Sequence, residues 1–319
     1  MRFSLSGILA ALAATVLLTA QDPPAAPNSA APIKVDVSLV NVAFIVRDSA
    51  GLLNRDLTKE DIEVYEDGVK QEVKFFSRSS DLPLRLVLVV DSSDSQDKFN
   101  KQHKRDIEVF LKNAVTLRDR AALICFGNHI RLVNDFTSSV PEIMESFRRF
   151  DKGGQRFREL DMDDTRSGGT ALFDAVYAAA FRKMGPVPGE RKAIVLFSDG
   201  EDNSSAHDLL DAIEAAQATD SLIYTVRYTE PHRFGLTARN LYGMREMDRL
   251  ARETGGAAFD ASKHEVSELL TQVGEELRSM YDIGYSSTSP VPDGTFRKVQ
   301  IRVKHPGMRV RTKPGYFAR

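Results

Sequence analysis

Cysteine is nearly absent. The 319 residues contain one, Cys125, so no intrachain disulfide can form. It lies in the apolar run 121–126, which predicts a buried, inert thiol. Tryptophan is missing altogether. Charge of one sign is missing too: 43 Lys and Arg face 45 Asp and Glu, a formal net charge of −2. No global field therefore favours nucleic acid or a membrane surface. The six histidines are scattered, with no pair at metal-ligand spacing, so a zinc site built from His and Cys has no support. There is no Walker A loop, no G-x-S-x-G elbow and no H-E-x-x-H helix. The rest is an ordinary globular composition, 42% hydrophobic and 28% charged, long enough for two domains.

The first twenty residues read as a secretory signal. Arg2 supplies a short positive region, 8–18 an apolar one, and Thr19-Ala20-Gln21 a cleavage point. The apolar run is short for a bilayer span of about 20 residues, which favours export with cleavage over a retained anchor. No later segment is apolar enough to span. Residues 21–33 are rich in Pro and Ala and read as a flexible spacer.

The chain is organised around 84–95, LRLVLVVDSSDS. Leu84 and Leu86 to Val90 form a near-continuous apolar run with β-branched residues, as in a strand buried on both faces of a parallel sheet. The run stops at Asp91. Ser93 and Ser95 follow at alternate positions. A carboxylate at the carboxyl end of a central strand sits where open α/β sheets bind ligands. With two hydroxyls it forms an oxygen-only pocket suited to a hard cation such as Mg²⁺. A helix-capping cluster after an ordinary strand is the alternative, and these residues alone leave both open.

Two later stretches bear on the choice. Ser167-Gly168-Gly169-Thr170 opens an amphipathic segment, and Leu196-Phe197-Ser198-Asp199-Gly200 ends a second apolar run at another Asp. Together the three stretches resemble the von Willebrand factor type A domain and its metal-ion-dependent adhesion site (MIDAS). That pattern is Asp-x-Ser-x-Ser, a distant Thr, then a distant Asp followed by Gly. Asp91, Ser93, Ser95, Thr170 and Asp199 fill its five positions. The resemblance covers about 82–280. It implies a doubly wound, mainly parallel, Rossmann-like α/β sheet. It also implies a bound Mg²⁺, with Mn²⁺ or Ca²⁺ as substitutes. Ser93 and Ser95 then ligate through hydroxyls, Thr170 and the two Asp directly or through water, and a partner fills the open position.

The flanks read as β. Within 34–79, Val40, Val42, Phe44 and Val46 alternate, Thr58 to Asp61 forms a capped turn, and Asp67-Gly68 marks a hairpin. Within 281–319, Tyr281, Ile283 and Tyr285 alternate, as do Val299, Ile301 and Val303. Neither flank can bury its apolar face alone, so 34–79 and 281–319 are expected to pack together as one small β domain. These flanks resemble those of exported bacterial proteins of the von Willebrand factor A-related class. An acidic cluster at Asp161, Asp163 and Asp164 reads as solvated loop.

The function this reading favours is non-enzymatic. It is a secreted or periplasmic, Mg²⁺-dependent adhesion or protein-binding module whose protein ligand presents an Asp or Glu carboxylate. Nucleic acid and stable membrane insertion are not expected. The competing readings are a Mg²⁺-dependent phosphoryl-transfer hydrolase and a metal-independent envelope scaffold. Such a hydrolase commonly carries a second Asp as acid two residues after the first; here that residue is Ser93, and no general base is evident.

Overall fold

The computed structural model describes residues 39–318 apart from 79–81, 161–167, 186, 188, 230–234, 264 and 290. The expected signal and spacer, residues 34–38, Ser167 and the acidic cluster 161–164 lie outside the described residues. Four antiparallel strands come first: β1 Leu39–Arg47, β2 Ile62–Glu66, β3 Val69–Gln71 and β4 Val73–Arg78. Thr58 caps the short 3-10 turn Lys59–Asp61, its N–H donating to the Asp61 carboxylate at 2.8 Å. Asp67-Gly68 makes the tight turn between β2 and β3.

From Leu84 strands and helices alternate. Their order is β5 Leu84–Asp91, α1 Asn100–Ala114, β6 Arg120–Phe126, β7 Ile130–Thr137, α2 Val140–Lys152, β8 Arg158–Glu159 and α3 Leu172–Ala178. There follow β9 Arg191–Ser198, α4 Leu209–Ala218, β10 Ser221–Arg227, α5 Ala238–Thr254, β11 Ala258–Asp260 and α6 Val266–Arg278. The seven strands form one sheet in the order β11-β10-β9-β5-β6-β7-β8, in which β7 alone runs against the others and pairs antiparallel with β6 and β8. β5 is central, and its side chains serve both faces. Leu86, Leu88 and Val90 pack with α1, α2 and α6. Val87 and Val89 pack with α3, α4 and α5. Each such side chain contributes about 1.5–3 kcal/mol by leaving water, which is why the run carries no polar alternation. Cys125 is buried within β6, and burial pushes its thiol well above the usual range.

The tail returns to β12 Tyr281–Ser286, β13 Phe296–Val303, β14 Arg309–Thr312 and β15 Gly315–Phe317. These strands interleave with those before β5. One sheet runs β14-β1-β12-β4 and another β15-β13-β2-β3. They share a core that includes Val42, Phe44, Val64, Tyr281, Ile283, Val299 and Ile301. β1 also faces the other way: Ile45 belongs to the core under α1, α2 and α6. By contact, Val37–Arg319 forms a single unit. Among the described residues no helix is long and apolar enough to cross a membrane.

A buried carboxylate fastens the tail strands to α6. Glu276, 3% exposed, accepts from Arg47 Nη2 of β1 at 2.8 Å and from Arg311 of β14, including Nη1 at 3.1 Å. Removing it leaves two guanidiniums, each about one-third exposed, without this partner. Glu276→Ala is therefore expected to cost about 2–3 kcal/mol, below the 3–5 kcal/mol of a fully buried pair because solvent screens the arginines. Equilibrium urea unfolding checks this, and a loss below about 0.5 kcal/mol would contradict it.

Candidate metal-ion site

Strand order locates the site before any side chain is considered. β6 lies on one side of β5 and β9 on the other, so the chain reverses direction across the sheet between β5 and β9. Open α/β sheets bind ligands in the crevice beyond the carboxyl ends at such a point. Asp91 ends β5, and Asp199 directly follows β9.

Asp91 is fully buried. Its Oδ1 accepts the Ser93 N–H at 3.0 Å and the Ser93 hydroxyl at 2.6 Å, and its Oδ2 accepts the Ser198 hydroxyl at 2.6 Å. Asp199 Oδ2 accepts the Ser95 hydroxyl at 2.7 Å and Gln96 Nε2 at 2.9 Å, while Oδ1 accepts the Glu201 N–H at 3.0 Å. The Ser93 and Ser95 hydroxyls are 3.2 Å apart. Two hydrogen-bonded pairs, Asp91 with Ser93 and Asp199 with Ser95, thus lie side by side with their serine oxygens in contact.

Thr170 arrives from a third loop. The next N–H, of Ala171, donates to Gly127 O at 2.8 Å. Gly127 follows β6 and packs beside the 92–93 backbone, where a Cβ on it would lie 3.8 Å from Ser93 N. On the other side, the Thr170 N–H donates to Asn203 Oδ1 at 2.7 Å. Gly169 allows that approach: its φ is +93°, and a Cβ there would come within 2.4 Å of Asn203 Oδ1. Gly168 faces open space and carries no such constraint. Thr170 is not the cap of α3. Ala171 holds that position, and the Asp202 carboxylate accepts the Leu172 N–H at 2.8 Å. The loop after Asp199 is pressed against α5 as well; a Cβ on Gly200, whose φ is +85°, would lie 2.3 Å from Gly243 O.

Burial is the largest influence on Asp91 and pushes its carboxyl up to about 7. Hydrogen bonds from Ser198 and Ser93 pull it down, and the Asp199 charge pushes it up. Two buried carboxylates therefore lie close together at the strand ends, with hydroxyls and amides as their donors. A cation would offset the negative charge gathered here. The five residues offer oxygen alone, which fits a hard ion such as Mg²⁺, Mn²⁺ or Ca²⁺. Each serine hydroxyl donates to a carboxylate and keeps lone pairs for an ion. Among the described residues no group of three His, Cys, Asp or Glu is placed to hold a metal.

Sequence reasoning did not single out Ser198 or Gln96. Ser198 left a trace, a hydroxyl ending the apolar run Ala193 to Phe197. Gln96 left none, being one polar residue among many, yet it is 1% exposed and also donates to Tyr228 O at 3.3 Å. The Tyr228 ring meets His103 edge-on, with centroids 4.3 Å apart. His103 is fully buried and neither ring nitrogen has a hydrogen-bond partner. Burial lowers its pKa from 6.5 to about 4.

Two outcomes are expected. In chelator at pH 8, Asp91→Asn removes a buried charge but keeps an acceptor for Ser93, so the variant gains on the order of 1–3 kcal/mol over wild type. A wild type at least as stable as the variant in urea contradicts this. For His103, the unfolded chain takes up a proton between pH 6.5 and 4 while the native chain does not. Stability is therefore lost as pH falls through that window, by up to about 3 kcal/mol. His103→Phe removes this contribution, and identical pH slopes in the two proteins would refute the assignment.

The von Willebrand factor type A domain model matches residues 86–272, more than half of the chain. No curated protein sequence matches. Among solved structures, a von Willebrand factor type A protein from Catenulispora acidiphila is 14% identical with a TM-score of 0.48, covering 89% of this chain and 74% of that one. An aerotolerance-related membrane protein from Bacteroides fragilis is 16% identical with a TM-score of 0.46, covering 61% of this chain and 98% of that one. Proximal thread matrix protein 1 from the mussel byssus, with a zinc-occupied MIDAS motif, is 16% identical with a TM-score of 0.45, covering 63% of this chain and 49% of that one. With its sheet order, and with more than half its length matched by the family model, the chain belongs to the von Willebrand factor type A domain family.

Proposed function

We propose that this protein is an exported, metal-dependent adhesion or protein-binding module. Asp91, Ser93, Ser95, Thr170 and Asp199 hold a divalent cation, Mg²⁺ first and Mn²⁺ or Ca²⁺ as substitutes. The partner is a protein that presents an Asp or Glu carboxylate. One observation carries the reading: a buried carboxylate pair at the β5–β9 switch point, surrounded by hydroxyl oxygens.

When bound, the cation supplies a positively charged coordination position. The residues divide the remaining work. Asp91 and Asp199 provide the charge. Ser93, Ser95 and Thr170 provide neutral oxygens, so the ion keeps much of its charge and attracts a further carboxylate. Ser198 and Gln96 hold the two carboxylates in orientation. We assign no catalytic residue. The export reading rests on the charged and apolar segments of the first twenty residues, with secretion or the periplasm as the destination.

Calorimetric titration with MgCl₂ tests the metal assignment. Wild type is expected to bind, and Asp199→Ala to bind at least about tenfold more weakly with an unchanged circular dichroism spectrum. Equal affinity in both would overturn the site. For the partner, binding is expected to be lost in chelator. It should also weaken when one exposed Asp or Glu of the partner is changed to Asn or Gln. A partner indifferent to every such change rules out the carboxylate bridge.

A further inference from the structure

The first turn of α3 is capped from a distance. Ala171 holds the cap position and has no side-chain acceptor to offer. The N–H groups of Leu172 and Phe173 donate instead to the Asp202 carboxylate, at 2.8 and 3.3 Å, and that of Asp174 donates to the Ser205 hydroxyl at 3.1 Å. Asp174 answers in the other direction: its Oδ2 accepts the Ala206 N–H and its Oδ1 the His207 N–H, both at 2.8 Å. Asp202, Ser205, Ala206 and His207 lie in one loop, which leaves β9 at Asp199 and ends at α4.

Thr170 is gripped at the head of the same ladder. Its carbonyl accepts the N–H groups of Asn203 at 3.1 Å and Ser204 at 3.2 Å, while its own N–H donates to Asn203 Oδ1. Both backbone polar groups of Thr170 are thus taken by two consecutive residues of the loop that begins with Asp199. None of these bonds uses the Thr170 hydroxyl. The left-handed Gly169 makes room for Ser204 as well as for Asn203, since a Cβ at 169 would lie 2.9 Å from that of Ser204. At the near end of the loop, Asp199 Oδ1 takes the Glu201 N–H. Two residues assigned to the metal, distant in sequence, are therefore joined through backbone hydrogen bonds.

We propose that Asp202 and Asn203 are positioning residues of the metal site, holding the Thr170 hydroxyl in register with the Asp199 carboxylate; this rests on the metal reading above. Neither residue is assigned to the ion, and both act through Thr170. The argument is one of geometric tolerance. Mg²⁺ demands a near-octahedral set of oxygens at about 2.0–2.1 Å, whereas Ca²⁺ takes roughly six to eight at about 2.3–2.6 Å in a looser array. A hydroxyl on an untethered loop can meet the second demand and not the first. Thr170 and Asp199 come from separate segments, and the bonds from Asp202 and Asn203 are those that join the segments nearest Thr170. Groups that orient metal ligands in this way are typically worth about 10–100-fold in metal affinity.

Calorimetric titration of the full chain with MgCl₂ and with CaCl₂ tests this. Asn203→Ala and Asp202→Ala are each expected to weaken Mg²⁺ binding at least about tenfold, and Ca²⁺ binding by a smaller factor. Asp202→Asn keeps the acceptor without the charge and is expected to stay within about threefold of wild type for Mg²⁺. Asp208→Ala removes the cap of α4 at the far end of the loop. It is expected to lower the urea midpoint and leave both affinities unchanged. Four results would overturn the proposal and leave the metal reading in place. They are wild-type Mg²⁺ affinity in a folded alanine variant at 202 or 203, an equal loss of Mg²⁺ and Ca²⁺ affinity, Asp202→Asn as weak as Asp202→Ala, or Asp208→Ala as weak as Asn203→Ala. A wild type that does not bind Mg²⁺ overturns both. Folding is checked by circular dichroism, and should one of the alanine variants at 202 and 203 fail to fold, the other decides.

Discussion

A carboxylate buried at the end of the central strand, beside a second carboxylate, is the constraint around which this structure is arranged. Asp91 cannot reach water, and the Asp199 charge works against its ionisation. The surrounding chain is shaped to hold the pair rather than to remove it. Ser93, Ser198 and a backbone N–H satisfy Asp91; Ser95, Gln96 and another N–H satisfy Asp199. Glycine at 169 and 200 lets the adjoining loops close in. A fold seeking only stability would place apolar residues here. Keeping two buried carboxylates side by side has a physical reason if a cation binds next to them.

The same constraint explains the division between core and rim. β5 from Leu86 to Val90 and β9 from Ala193 to Phe197 are apolar because helices cover both faces of the sheet. Polarity begins where the helices end, at the carboxyl edge. The flanks are built separately, as two antiparallel sheets around their own core, yet β1 contributes Ile45 to the central one. Glu276, accepting from Arg47 and Arg311, ties the same parts together through charge. At the amino-terminal edge of the sheet a cavity is lined by Arg191, Lys192 and Lys313 and by Glu190, Asp220 and Asp282.

Much of this was legible in the sequence because periodicity reports burial directly. The near-continuous apolar run 84–90 marked a strand covered on both faces, and the alternation at 281–285 and 299–303 marked half-exposed strands. Asp91, Ser93, Ser95 and Asp199 were legible because their spacing is local to two strand ends. Thr170 was legible only through the family pattern, since what positions its loop is Asn203, which accepts the Thr170 N–H, and the Gly127 carbonyl, which accepts that of Ala171, contacts between residues distant in sequence. Gln96 and Ser198 escaped for the same reason. Their roles lie in partners across the sheet, and a single polar residue in a polar loop announces no partner. The interleaving of the flank strands was also beyond periodicity, which fixes the face of a strand but not its neighbour.

The most direct test of the account is a crystal soaked in Mn²⁺ and measured at the manganese absorption edge. The account predicts an anomalous peak bounded by Asp91, Ser93, Ser95, Thr170 and Asp199, absent from crystals of Asp199→Ala. A fully soaked crystal with no peak there, or with its strongest peak elsewhere on the protein, would contradict it.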